Sequence, residues 1–225
     1  MTARPAPANQ DLVETFDFEQ RSPEWFEARR GICTASVFST VMAEGRDGPS
    51  KTRAKLMSQM AAEQIGGIPA ETYSNAAMQR GIEMEPAALE HYSFTRGVDL
   101  ERVGFVRRTI HNPLGSRLIV GCSPDSLVGK HGILQVKTMQ PDLIVDLVDG
   151  GRFPTEHRWQ CIGEMWVTGR AWCDLMIFYK DFPLTPTFRI ERDVVAISKL
   201  ANGVEVFNHE LGQLVDRVKK KGNLR

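Results

Sequence analysis

Hydrophobic and polar positions change texture twice along the chain. Helix signals come first. Ser22-Pro23-Glu24-Trp25 joins a capping hydroxyl, a first-turn proline and an acid at the positive end of the dipole, and predicts a helix to about Arg30, stopped by Gly31. Thr34-Ala35-Ser36 opens a second short helix through Val41-Met42. A third runs from about Thr52 to Gln64 and is closed by Gly66-Gly67. A longer helix covers about Ala76–Thr95, with Gly81 and Pro86 as irregularities and Gly97 as its end. Short runs rich in β-branched residues follow: Val103–Ile110, Leu118–Cys122 and Ile133–Thr138 read as strands, and Gly129-Lys130-His131-Gly132 as a hairpin turn. Helices resume near Pro141–Val148 and His157–Thr168, with strands at Leu175–Tyr179 and Thr187–Glu191. In the last helix, about Ala201–Lys219, Val204, Phe207, Leu211, Leu214, Val215 and Val218 recur at helical spacing. Its closing Lys219-Lys220-Lys221 suits the negative end of the dipole and reads as a solvated cationic terminus.

This order predicts an α/β fold with a central mixed β-sheet flanked by helices. The 225 residues fit one domain spanning 1–225, with 1–20 a poorly ordered leader and 201–225 the C-terminal helix and basic tail. Lys plus Arg equals Asp plus Glu at 28 each, so bulk charge points to neither nucleic acid nor membrane and any such site must be local. No apolar run reaches the roughly 20 residues of a membrane span, and the N-terminus lacks a signal-peptide core, so a cytoplasmic protein without a membrane partner is expected. Cys33, Cys122, Cys161 and Cys173 are scattered, which argues for buried thiols against zinc fingers, disulfide frameworks or an iron–sulfur cluster.

The chemistry concentrates in Cys122-Ser123-Pro124-Asp125-Ser126-Leu127 and Leu134-Gln135-Val136-Lys137. Alternate side chains of a strand share a face, so Leu134 and Val136 should point into the core while Gln135 and Lys137 point the other way. The hairpin returns the chain beside Asp125. An acid, an amide and an amine then meet at one sheet edge, the kind of set that phosphodiester hydrolysis needs around a divalent cation.

The pattern resembles the PD-(D/E)XK nuclease superfamily, whose core is restriction-endonuclease-like. Within it the chain is similar to the lambda-exonuclease (YqaJ-type) family from near Trp25 to near Tyr179. Four blocks carry the likeness: Trp25-x-x-x-Arg29-x-Gly31-x-x-Thr34-Ala35-Ser36; Gly81-x-x-x-Glu85; Cys122-Ser123-Pro124-Asp125 with Lys137; and Gln160-x-x-x-x-Met165-Trp166-Val167-Thr168. The resemblance implies a magnesium-dependent 5′-to-3′ exonuclease on double-stranded DNA ends, releasing 5′-mononucleotides and leaving 3′ single strands for phage-type recombination. It implies two Mg²⁺ per site, with Mn²⁺ able to substitute. Asp125, Gln135, Glu85 and the Val136 carbonyl would be the ligands, Lys137 would activate water, and Gln160 would help position it. Arg29 and Ser36 would hold the terminal 5′-phosphate, and His157, one turn before Gln160, is a further candidate. Trp25 and Trp166 read as core residues. The implied partners are a 5′-phosphorylated duplex end, two further copies in a ring-shaped homotrimer, and a phage-type single-strand annealing protein. The strand-separating wedge of the family falls in a variable region, here Ser50–Met78, and no residue is assigned to it.

Position 135 departs from the family, which has Glu there. The amide keeps the shape but is neutral and a weaker ligand, so metal affinity and turnover should fall. Two explanations stay open: glutamine is used naturally here, as in some members of the wider superfamily, or it is an engineered replacement that holds intact DNA. The isosteric change in an otherwise complete motif favours the second. The rival functions are an end-binding protein with weak or no catalysis, and another PD-(D/E)XK nuclease such as an endonuclease.

Overall fold

The computed structural model describes residues 11–46, 48–67, 76–111 and 117–223. Strand β1 (Leu12–Phe16) precedes helix α1 (Pro23–Arg29). Then β2 (Cys33–Thr34) leads through a 3-10 turn at Ala35–Val37 into α2 (Phe38–Val41). A small ribbon of β3 (Glu44–Gly45) and β4 (Gly48–Pro49) is followed by α3 (Lys51–Gly66), α4 (Ala76–Arg96), β5 (Leu100–Glu101), β6 (Phe105–His111) and β7 (Arg117–Cys122). The remainder is β8 (Ser126–Val128), β9 (Gly132–Thr138), α5 (Pro141–Gly150), a 3-10 turn at Thr155–His157, α6 (Arg158–Thr168), β10 (Trp172–Phe178), β11 (Thr187–Glu191) and α7 (Val194–Lys221).

The α/β class with mixed strand pairing is as expected, but the strands divide between two main sheets. One has the order β1-β6-β7-β2 and the other β11-β10-β9-β8-β5. The hairpin at Gly129 forms: Ser126 pairs with Leu134 and Val128 with Gly132, and Gly129 takes the left-handed φ of 50° that suits glycine. On its other side β9 runs parallel to β10, with Gln135 opposite Leu175.

Strand β9 is covered on both faces. Leu134 and Val136 pack with Ala88, Leu89 and Tyr92 of α4. Ile133 faces the main core with Cys161, Ile162 and Met165 of α6 and Val204, Phe207 and Leu211 of α7. The expected alternation therefore holds for Leu134 and Val136, yet Gln135 does not reach solvent; it is 3% exposed. Strands buried on both faces are ordinary beside a parallel neighbour. Helix α6 lies close against α2 because Gly163 has no side chain: a Cβ there would sit 2.2 Å from the Phe38 ring.

Two boundaries differ from the sequence expectation. Residues 12–16 of the expected leader form β1, held to β6 with Glu14 opposite Arg107 and ion-paired to it at 2.9 Å; residues 1–10 lie outside the described residues. Helix α7 begins at Val194 because Asp193 caps it, accepting from the amides of Val195 and Ala196. Val194 and Val195 are exposed and break the apolar stripe, which hid that first turn. Of the stretch assigned to a wedge, 68–75 lies outside the described residues. Among the described residues no helix is long and apolar enough to cross a membrane. All four cysteines are free and buried.

Candidate active site

The loop between β7 and β8 places Asp125 against the middle of β9. Its Oδ2 accepts two hydrogen bonds of 2.6 Å, one from Gln135 Nε2 and one from the backbone amide of Val136. Burial raises the Asp125 carboxyl from 3.8 to about 6; Glu85 pushes the same way, while Lys137, the Val136 amide and Arg21 oppose it. One pocket of about 420 Å³ is lined by Glu85, Asp125, Gln135, Val136 and Lys137, together with Arg21. Five of the residues expected at the site therefore share one cavity.

Glu85 comes from the middle of α4 and is 7% exposed. Its two oxygens meet two arginines, Arg102 at 3.1 Å and Arg21 at 3.5 Å. Neither arginine was expected from the sequence. Arg21 reaches the pocket from a left-handed backbone, φ 74°, which a non-glycine residue adopts at a cost.

Helix α6 closes the other face. The 3-10 turn that leads into it ends at His157, whose pKa is lowered by burial and then by the charge of Lys137. Gln160 donates from Nε2 to Oε1 of Glu164 at 3.0 Å. Glu164 is the acid that sequence reasoning missed. It is 1% exposed, and its carboxyl is pushed well above the usual range, first by burial and then by Cys161 and Asp125. The signal was available: an acid one turn after Gln160 on the otherwise apolar run Cys161–Val167. Neither Gln160 nor His157 lines the pocket of Asp125, although the Lys137 charge acts on His157.

The expected phosphate clamp forms a separate cluster next to Asp125. Arg29 donates to the hydroxyls of Ser123 at 3.0 Å, Thr34 at 3.2 Å and Ser36 at 3.3 Å, and stacks on Trp25 with 4.2 Å to the ring centroid. Trp25 is half-buried rather than core, and its indole N–H donates to Ser123 Oγ and to the Gly104 carbonyl. Trp166 is buried beside Phe38, as expected of a core residue. Burial lowers the Arg29 pKa to about 10, so it stays charged at neutral pH. The hydroxyls it bonds among the described residues are neutral, and Cys122 and Glu63 act on it through their charge. A desolvated guanidinium with neutral partners is receptive to an anion.

The donor set suits a hard divalent cation: the Asp125 and Glu85 carboxylates, the Gln135 amide oxygen and the Val136 carbonyl are all oxygen ligands. Gln135 Oε1 is buried without a hydrogen-bond partner among the described residues, the kind of oxygen a bound ion would satisfy. Among the described residues, no three His, Cys, Asp or Glu side chains are gathered closely enough to cage an ion.

Residues 24–171 match the YqaJ-like viral recombinase domain. Two crystal structures of the alkaline exonuclease LHK-Exo from Laribacter hongkongensis are similar. One is 30% identical with a TM-score of 0.77, and the complex with dAMP is 31% identical with the same TM-score; each alignment covers 90% of this chain and 98% of the other. A phage-related exonuclease from Haemophilus somnus, 17% identical with a TM-score of 0.61 over 83% of this chain and 96% of its own, shares the fold. No curated protein sequence matches the chain. With the domain match spanning well over half its length, the chain belongs to the YqaJ-like viral recombinase family and carries the nuclease fold of its lambda-exonuclease-type relatives.

Proposed function

We propose that the protein is a magnesium-dependent exonuclease that enters duplex DNA at a 5′-phosphorylated end and degrades that strand in the 5′-to-3′ direction. The observation that carries the proposal is the position of Arg29. A charged guanidinium bonded to three neutral hydroxyls among the described residues sits on Ser123, two residues before Asp125. An anion held by Arg29 and Ser36 would be a terminal phosphate, with the next phosphodiester presented toward Asp125. The Laribacter relative is an alkaline exonuclease, and one of its structures holds dAMP, a mononucleotide of the kind such a reaction would release.

Asp125, Glu85, the Gln135 amide oxygen and the Val136 carbonyl would hold the cation. The bound ion would polarise the scissile phosphate and stabilise the charge that develops on it. Lys137, on the same face of β9 as Gln135, orients the attacking water and offsets the gathering negative charge. Gln160 fixes the position of that water from α6. Arg21 and Arg102 neutralise Glu85 while the site awaits a cation. With one carboxylate fewer at position 135, turnover is slow compared with a glutamate form. A homotrimeric ring and pairing with a phage-type single-strand annealing protein complete the proposal; both rest on the family resemblance. Cytoplasmic location follows from the substrate.

A second reading, a DNA-end-binding protein with little catalysis, has one observation in its favour: Gln135 ties up Asp125 Oδ2. The deciding test is digestion of linear duplex with and without 5′-phosphate, beside covalently closed circles, in Mg²⁺. Mononucleotide release from phosphorylated linear DNA with circles intact supports the exonuclease. Retention of ends without release supports the binder, and nicked circles would indicate an endonuclease.

A further inference from the structure

Of the two arginines on Glu85, only Arg21 lines the cavity of Asp125 and Lys137 among the described residues. Arg102 donates to Oε1 at 3.1 Å, whereas Arg21 reaches Oε2 at 3.5 Å, the outer limit of a hydrogen bond. The Arg21 side chain is half-exposed, so its guanidinium can exchange partners without repacking the core. The backbone beneath it is held from both sides. Gln20 Nε2 donates to the carbonyls of Val103 and Pro124, each at 3.1 Å, and the Ser22 hydroxyl caps α1. Between them Arg21 takes the left-handed φ of 74° that glycine would adopt at no cost. A strained position persists where its surroundings over-determine it, and here it directs a guanidinium into the cavity. The loop Ser123-Pro124-Asp125 gathers these contacts on consecutive residues: Arg29 donates to the Ser123 hydroxyl, Gln20 to the Pro124 carbonyl, and Asp125 lines the cavity. From Ser123 to Asp125 the chain spans at most about 7 Å, the order of the spacing between successive phosphates of one DNA strand.

We propose that Arg21 is a phosphate contact of the reacting site: it leaves Glu85 and donates to the phosphodiester next to the 5′-terminal phosphate, while Arg29 holds the terminal one. Glu85 Oε2 serves either the guanidinium or a cation, so a cation in the cavity releases Arg21, and Arg102 keeps Oε1. A guanidinium offers a phosphate two parallel donors. The exchange leaves Arg21 paired with an anion throughout, Glu85 before DNA and cation enter and a phosphate oxygen afterwards. The inference rests on the end-directed nuclease reading of this site.

The test is binding of a fluorescent 5′-phosphorylated duplex to the full chain in saturating Mg²⁺, by anisotropy over a range of salt. The first linkage of the duplex is either a phosphorothioate, which is charged and slow to cleave, or a methylphosphonate, which is uncharged; a gel confirms that the probe stays intact. Arg21→Gly removes the guanidinium and suits the backbone, so its melting temperature in chelator should stay close to that of wild type. It should bind the phosphorothioate duplex about tenfold more weakly, with the slope of log affinity against log salt reduced by about 0.9. Its affinity for the methylphosphonate duplex should match that of wild type, because the charge that Arg21 contacts is absent there. Where Arg21→Gly melts lower, Arg21→Gln, which keeps a long side chain without the charge, supplies the same comparison. Equal loss on the two duplexes, or loss on neither, overturns the contact; cleavage of phosphorylated linear DNA by wild type then leaves the nuclease reading standing. A wild type that neither binds nor cleaves phosphorylated ends overturns both.

Discussion

Gln135 stands toward Asp125 as a hydrogen-bond donor: its amide nitrogen lies 2.6 Å from Oδ2, and the Val136 amide binds the same oxygen at the same distance. A glutamate in that place would present oxygen to oxygen. Without a cation or a shared proton, two carboxylates at such a distance repel.

Gln135→Glu should therefore act oppositely in the two conditions. In chelator the variant loses a buried bond and gains a like charge, lowering stability by about 1–3 kcal/mol in denaturant unfolding. In Mg²⁺ it should raise nucleotide release at least about tenfold, because a charged ligand strengthens the electrostatic stabilisation of the reacting phosphate. Equal or lower release would mean that glutamine is part of the working site.

The carboxyl of Asp125 predicts a pH dependence. Its pKa in the folded state, about 6, lies above the ordinary value of 3.8. The native state thus favours the protonated form, and its contribution to stability is fully present below about 4 and is lost as pH rises through about 6. Asp125→Asn lacks this titration. In cation-free buffer the variant should gain stability relative to wild type as pH climbs from 4 to 7, while Mg²⁺-dependent cleavage disappears. A stability difference that stays flat across this window would contradict the assignment.

Arg29→Ala should remove the preference for phosphorylated ends. A hydrogen bond to a charged group contributes about 1.5–3 kcal/mol, so initiation on 5′-phosphate duplex should fall by about tenfold to a hundredfold, with little change on 5′-hydroxyl ends. Arg29→Lys should not rescue it, since an ammonium cannot bridge Ser123, Thr34 and Ser36 as the planar guanidinium does. Equal loss on both kinds of end would assign Arg29 to structure alone.

Gly163→Ala tests whether close packing of α6 holds the site. The new methyl would fall 2.2 Å from Phe38, a buried ring that cannot swing away freely. A loss of about 1–3 kcal/mol is expected, with Gln160 and Glu164 displaced along with their helix. Chemical denaturation and Mn²⁺ affinity measured together would show whether packing and site move as one.

The sequence by itself determined the local elements whose causes are local. Ser22 caps α1 through its hydroxyl, Gly129 turns the β8–β9 hairpin, and the apolar stripe from Val204 to Val215 makes α7. It also determined that Asp125 and Gln135 would meet, because a three-residue hairpin loop leaves little choice of register. The family blocks added Glu85 from α4, which strand alternation could never have reached. What only the tertiary structure decided depends on contacts between distant segments. Residues 12–16 pair with β6 across some 90 positions of chain, and nothing local marks LVETF as a strand rather than a leader. Gln135 is buried instead of solvent-facing because β9 is packed on both faces, and Gly163 lets α6 close against Phe38 of α2. The two arginines on Glu85, and the acid Glu164 beside the Asp125 and Lys137 charges, are brought in by the same packing. A side chain's chemistry is written in its residue type, but its charge state and partners are set by what the fold desolvates and places against it.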